Sequence, residues 1–286
     1  ARASIDMSRS KGSAYQTGVW VPLIVSGPMV DAPGRTVEHM INMVDIFSLF
    51  GEVAGLDVPS LVPRVIDSAP MLPYLTNATQ SSIRAFNYTH GGLNLQANGG
   101  RNGPCVISDQ CSHTPMTRAI CEDNNGVWWG MGADDPSVLQ GDLTHCWQVN
   151  QAIYHDDPSN YEANRINMGA TEYRAIRNEH FKLVRNITQD FDPSSDTGVD
   201  VVIEELYRIN QEVPVPLIDR EELNLLAHGT LTPPQAIQYA QLVQAMEALD
   251  ESKIACPGDG NDDGRVDQTD IDNYHSIVAT WSGSSV

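Results

Sequence analysis

Apolar and polar positions change their spacing several times along the chain, and each change marks an element. The run "GVWVPLIVSGPMV" at 18–30 is almost continuously apolar, rich in β-branched residues and bounded by turn formers. It predicts a buried strand at 20–26. Pro33 and Gly34 then make a turn. In "RTVEHMINMVDIFSLFGEVAGL" the apolar residues Val37, Met40, Ile41, Val44, Phe47, Leu49 and Val53 recur at helical spacing, with Gly55 as C-terminal cap. "RVIDSAPMLPYLTN" reads as a short extended piece followed by a proline-interrupted turn. The Gly/Asn-rich stretch 91–104 has no period and reads as loop. Downstream, "TEYRAIRN", "HFKLVRNIT" and "EELYRIN" predict three short strands in an antiparallel set. "TPPQAIQYAQLVQAMEALDES" predicts a helix. Thr232 is placed to cap it, Pro233 and Pro234 fit its first turn, and Ile237, Ala240, Val243, Met246 and Leu249 lie on one face.

Composition narrows the function classes. A chain of 286 residues is long enough to bury most of its unfolded surface without help from metal or cross-links. Its 37 Asp plus Glu against 17 Lys plus Arg give a formal net charge of −20. With no basic stripe to neutralise phosphates, a nucleic-acid partner is not expected. No apolar run reaches the roughly 18 to 20 residues of a membrane span, and proline and glycine interrupt the longest one. Hydrolase elbow, zinc-protease and phosphate-cradling glycine motifs are absent from the 286 residues.

The most specific chemical pattern is "DGNDDGRVDQTD" at 259–270. Counting Asp259 as the first position, side-chain oxygens fall at Asp259, Asn261, Asp263, Asp267 and Asp270, and Arg265 offers its backbone carbonyl at the seventh. Gly264 stands at the sixth position, where the loop turns sharply. A hard cation needs six to eight oxygens at about 2.3–2.6 Å, and alternate residues of a curled loop supply them. Calcium is the expected cofactor. The loop, its terminal aspartate and a following helix at about 268–280 resemble one repeat of a dockerin, the calcium-binding module that docks secreted glycan-degrading enzymes to partners. That resemblance implies a protein docking partner through the tail. Dockerins carry two such repeats, and one is present here.

Five segments, in order, resemble the sulfatase family of the alkaline phosphatase superfamily. "KGSAYQTGVWVPLIVSGP" is similar to its lysine-containing Lys-Gly-x-x-Tyr-Glu-Gly-Gly segment, with Gln16 and Thr17 in place of the glutamate and one glycine. "VEHMINMVDIFSLFGEVAGL", "DSAPMLPYL", "AIRNEHFKLVRN" and "EELYRINQEVPVPLIDREELNLL" resemble its later segments. The resemblance implies that Lys11 contacts the sulfate and the departing ester oxygen, where a fixed cation stabilises developing charge. It also implies a formylglycine nucleophile from a Cys/Ser-x-Pro-x-Arg motif, and aspartates holding an active-site calcium. These lie before the lysine in the family and are not in this chain; "SHTPMTR" has the wrong spacing.

The expected fold is therefore α/β, in four parts. Residues 1–85 form the end of a sulfatase-like, alkaline-phosphatase-like core, and 86–160 a cysteine-containing insert. Residues 161–253 form a small antiparallel sheet-and-helix subdomain, and 257–286 a loop-helix calcium-binding tail. The expected function is that of the C-terminal part of a secreted or periplasmic sulfatase acting on a sulfated small molecule or glycan, inactive as this chain alone. The alternatives are a calcium-dependent glycan-binding or docking module, and a phosphodiesterase or phosphonate hydrolase of the same superfamily. Cys105, Cys111, Cys121 and Cys146 admit three pairings, and disulfides are preferred to zinc because no Cys-x-x-Cys spacing occurs. Trp128 and Trp129 are read as the small core of that insert in preference to a sugar-stacking platform.

Overall fold

The computed structural model describes residues 9–10, 12–62, 66–91, 103–112, 117–209 and 219–251. The chain divides into two compact units, 1–242 and 243–286, and of the second only the last turns of one helix fall among the described residues.

The organising element of the first unit is a four-stranded antiparallel sheet in the order β1-β6-β7-β8. Its strands are β1 (Asn87–Gly91), β6 (Glu172–Arg177), β7 (Phe181–Asp192) and β8 (Thr197–Arg208). The antiparallel set expected at 171–210 is thus present, lengthened by an edge strand at 87–91. The β7–β8 hairpin pairs without interruption from Phe181↔Arg208 to Asp192↔Thr197. Successive side chains of a strand point to opposite faces. Ala175, Lys182, Val184, Glu205 and Tyr207 therefore line one face, and Ile176, Leu183 and Leu206 the other, all of them buried.

The second face is met by the first turns of the long helix α8 (Pro233–Glu251), where Asn178 donates to Gln238 at 2.8 Å and the Tyr239 hydroxyl donates to Glu204. Its start follows the expected capping: the Thr232 N–H donates to Gln235 Oε1 at 2.8 Å, the return half of a capping box, with Pro233 and Pro234 behind it. The expected apolar face holds at Met246, which is fully buried, and fails at the start of the helix. Ile237 is 58% exposed and Leu242 is fully buried, because Gln238 and Tyr239 take the sheet-facing side of the first turns.

Before Asn87 the described residues form helices and loops only: α1 (Gln16–Val19), α2 (Asp45–Val53), α3 (Val58–Leu61) and α4 (Leu72–Thr76). The strand expected at 20–26 is not formed. The Trp20 N–H is used by Gln16 O in closing α1, Pro22 has no N–H to give, and no described strand lies alongside. The run is left exposed, with Ile24 at 91%. The helix expected from Val37 is shorter than its apolar period. Residues 41–42 spend their polar groups on the region of β1, where Asn42 donates to Tyr88 O at 3.1 Å and Asn87 to Ile41 O at 2.7 Å. The buried Asp45 then fixes the helix start, accepting from the Asn42 and Ala69 N–H groups and from Arg84. Burial pushes the Asp45 carboxyl upward, but the Arg84 guanidinium and the two N–H groups outweigh it and hold it below the usual carboxylate range. Gly55, with φ +75°, ends α2 as expected, and Leu56 N–H reaches back to Gly51 O at 2.9 Å. The turn expected around Pro73 is the helix α4 instead, with the proline in its first turn.

The cysteine-bearing region contains a second small sheet, order β4-β2-β3-β5. Its strands are β2 (Cys105–Ile107), β3 (Gln110–Ser112), β4 (Val127–Trp128) and β5 (Asn167–Met168). Helices α5 (Arg118–Asp123), α6 (Trp147–Asp156) and α7 (Tyr161–Asn164) complete it. Disulfides join Cys105 to Cys121 and Cys111 to Cys146. Trp128 packs with Cys105 and Cys121, and Trp129 with Cys111, Cys146, Val149 and Leu143, so each tryptophan backs one disulfide on opposite sides of the strand. Both are core residues, as expected. Helix α6 seats this module on the far end of the hairpin: Asn150, fully buried, donates to Asp190 at 3.0 Å, and a Cβ at Gly198 would lie 2.7 Å from the Trp147 ring.

Candidate functional site

Lys11 lies outside the described residues, as do Asp259, Asn261, Asp263, Arg265, Asp267, Asp270 and Cys256. Both chain neighbours of Lys11 are described, and they show how its loop is held. On the first face of the main sheet Ala14 and Tyr15 pack with Ala175, Val184 and Tyr207. Gly12 has φ +85°, a conformation that favours glycine, directly after the lysine. A Cβ at Gly18 would lie 2.4 Å from the Ser10 carbonyl, so only glycine lets α1 close against residue 10. Ser13 reinforces the turn, its N–H and hydroxyl both donating to Ser10 O, at 3.1 and 2.6 Å. The Thr17 hydroxyl donates to Arg9 O.

Beneath this loop is a buried charged network. Arg9 donates to the Tyr207 hydroxyl at 2.7 Å, to Asp219 O at 2.9 Å and to Glu205 at 3.0 Å, and its guanidinium lies 4.3 Å from the Tyr15 ring centre. The Tyr15 hydroxyl donates to Glu205 at 2.5 Å and accepts from Asn186 at 2.9 Å. Asp219 accepts from the Gln16 N–H at 2.6 Å and from Lys182 Nζ at 2.7 Å. Lys182 also reaches Gln16 Oε1 at 3.4 Å. The two charges of the Lys182–Asp219 pair are almost wholly out of solvent, 2% and 4% exposed.

Burial dominates the electrostatics. It pulls the Lys182 ammonium down to about 8, opposed by Asp219 and assisted by the nearby Arg177. Arg177 is itself lowered by burial, against the pull of Asp219. The Tyr15 and Tyr207 phenols are pushed well up, first by burial and then by their contact with Glu205 (which Arg9 partly offsets), so both stay protonated donors at neutral pH. Such a network is costly to assemble and punishes loss of any one member, because it leaves a buried group unpaired. Asn224 adds a brace, accepting from the N–H groups of Leu206 and Leu226, both at 3.1 Å.

The arrangement ties residues 9, 15 and 16 to the main sheet through buried charged and phenolic groups. Among the described residues, no group of three or more His, Cys, Asp or Glu is placed to hold a metal ion, and no helix is long and apolar enough to cross a membrane. Sequence reasoning singled out Lys11 but not Arg9, Tyr15, Lys182, Glu205 or Asp219. One signal was available: Lys182 and Glu205 interrupt the apolar character of inward-facing strand positions shared with Ala175 and Val184.

Two known proteins share part of this sequence. The steryl-sulfatase of Mus musculus is 33% identical over 96 residues, which is 34% of this chain and 15% of the relative. The steryl-sulfatase of Rattus norvegicus is 31% identical over 87 residues, 30% of this chain and 15% of the relative. The matched stretch is thus about one seventh of either relative. No family model and no solved structure matches the chain. The partial similarity supports a relationship to sulfatases, and the mixture of helices and sheets among the described residues is consistent with it.

Proposed function

We propose that this chain supplies the lysine-bearing, C-terminal part of the active site of a sulfatase, with Lys11 as the cation that stabilises the transferring sulfuryl group and the departing oxygen. One observation carries the reading: the loop on both sides of Lys11 is clamped to a sheet by a buried network of six charged and phenolic side chains, Arg9, Tyr15, Lys182, Glu205, Tyr207 and Asp219. An ordinary surface turn needs no such support. A catalytic cation does, because electrostatic stabilisation of a transition state depends on charge that is already in place when the reaction begins. The partial likeness to two steryl-sulfatases agrees with the choice of sulfate over phosphate or phosphonate esters. The sulfate ester is that of a glycan, an aryl compound or another small molecule. The nucleophile is contributed from outside these 286 residues.

The tail has a separate role. Asp259, Asn261, Asp263, Asp267 and Asp270, with the carbonyl of Arg265, form an all-oxygen donor set of the hardness and number that calcium prefers over zinc or copper. Bound calcium there would neutralise four clustered carboxylates and order the loop for docking. With the two disulfides, this tail suits an extracytoplasmic enzyme.

The test is turnover of an aryl sulfate by the product of the complete reading frame that encodes this chain, against the matching aryl phosphate. Preferential release of sulfate is expected. Turnover of the phosphate alone would move the protein to phosphoester chemistry, and turnover of neither would reject the enzyme reading in favour of a binding module.

A further inference from the structure

The Lys182–Asp219 pair has a role beyond stability. We infer that Asp219, held in place by Lys182, is the positioning residue of the catalytic loop: it fixes the start of α1 on one side of residue 11 and Arg9 on the other. The inference rests on the reading of Lys11 given above.

The geometry is specific. Asp219 offers two different acceptors to two different places on the loop. Its carboxylate Oδ2 takes the Gln16 N–H at 2.6 Å, and its backbone carbonyl takes Arg9 at 2.9 Å. Residues 9 and 16 bracket the lysine, so one residue sets the span of the turn between them. The Gln16 N–H is one of the first N–H groups of α1, which have no partner within the helix. Asp219 supplies that partner from another part of the chain, 203 residues away. At the start of this short helix the Tyr15 cap residue makes no side-chain capping bond. Its position is dictated from outside.

Lys182 makes this arrangement possible. A buried carboxylate without a counter-charge would take up a proton and become a poorer acceptor. Nζ at 2.7 Å from the same Oδ2 places the counter-charge directly on the acceptor, and the contact with Gln16 Oε1 at 3.4 Å adds a second link to the loop. Lys182 stands near the start of the inner strand β7, opposite Tyr207 on β8 and Arg177 on β6. The position of the sheet is therefore transmitted to the loop by a chain of two charge-assisted hydrogen bonds, Lys182 to Asp219 to Gln16. Glu205 does the same for the other layer of the loop through Tyr15 and Arg9.

A structural pair and a positioning pair respond differently to replacement. Replacing both buried charges by apolar residues of similar size commonly preserves stability. The double variant Lys182→Met/Asp219→Leu would then fold, yet leave the Gln16 N–H without its acceptor. Two readouts separate the cases. The first is hydrogen exchange in the chain itself, which needs no activity. Amides of 16–19 should exchange about 10- to 100-fold faster in the double variant and in Asp219→Asn, while protection of 182–191 is kept as the control for folding. Unchanged exchange at 16–19 overturns the anchor.

The second readout is aryl sulfate turnover by the product of the complete reading frame. Lys11 acts on the transition state, so its displacement should lower kcat by about 10- to 100-fold with KM within about twofold. Recovery of full kcat in the double variant, along with recovered stability, would show a structural role only and overturn the inference. The two failures are distinguishable. If wild type and Lys11→Ala turn over equally, the reading of Lys11 falls, while the exchange data still judge the anchor.

Discussion

The two ends of the β7–β8 hairpin carry loads of different kinds. At the Lys182–Tyr207 end the hairpin holds loop 9–19 through a buried network of charges and phenols with no covalent link. At the Asp190–Gly198 end it holds a module stapled by two disulfides and filled with tryptophan, tyrosine and phenylalanine. The difference is instructive. Apolar packing and cross-links restrict a module without dictating the placement of any one atom to a fraction of an ångström. Charge-assisted hydrogen bonds are directional and fail when displaced. The module end has charged contacts too, with Asn150 and Arg165 on Asp190 and His155 on Asp196, but there they accompany cross-links and aromatic packing, whereas the loop end rests on its charged and phenolic network.

The contrast can be broken at either end. The largest effect on stability is expected from Lys182→Met alone, which strands Asp219 in a dry site and should cost about 3 to 5 kcal/mol in chemical denaturation. A cost below about 1 kcal/mol would mean the pair is solvated. Removing the Cys111–Cys146 bridge, which closes a span of 35 residues, should cost about 2 to 4 kcal/mol. That loss should appear as early unfolding of the α6 region, with exchange at 16–19 unchanged. Tyr15→Phe should cost about 1.5 to 3 kcal/mol, because it removes a donor to a buried carboxylate and leaves Asn186 without its acceptor. Spread of that loss into the disulfide module would erase the contrast.

The smallest effect is with pH. Burial places Lys182 near 8 in the folded chain, below its ordinary value of 10.5. Between those values the unfolded chain binds the additional proton, so this group adds stability as pH rises from about 8 towards 10 and adds none below that window. The stability of wild type relative to Lys182→Met should therefore increase over that range. A flat difference would show that the two states share one lysine pKa.

How much of this was legible in the sequence depends on what each residue answers to. The three strands around Ile176, Leu183 and Leu206 could be read because alternation is a local signal. The caps at Thr232 and Gly55 could be read because capping chemistry spans only a few residues. The helix start at Asp45 could not, since Asn42 and Asn87 exchange hydrogen bonds across more than 40 residues with groups no local pattern reveals. The run at 20–26 reads as a strand from its composition, but a strand exists only beside another, and no described one is there. Four cysteines without Cys-x-x-Cys spacing made disulfides the preferred reading over zinc and left the pairing to the fold. Asp219 follows the proline-rich stretch 213–216 and carries no periodic signal at all; its meaning is wholly tertiary.

The tail stands apart from this contrast and has its own check. Calorimetric titration should detect at least one calcium site that is lost in Asp263→Ala, and absence of heat above dilution would remove the calcium assignment.

The most direct measurement of the central claim is kcat for aryl sulfate hydrolysis by the product of the complete reading frame, with and without Lys11→Ala. Loss of one preorganised electrostatic group should lower kcat by about 100- to 1,000-fold at little change in KM. Equal kcat in the two proteins would contradict the account, leaving a carefully mounted loop whose lysine takes no part in sulfate ester chemistry.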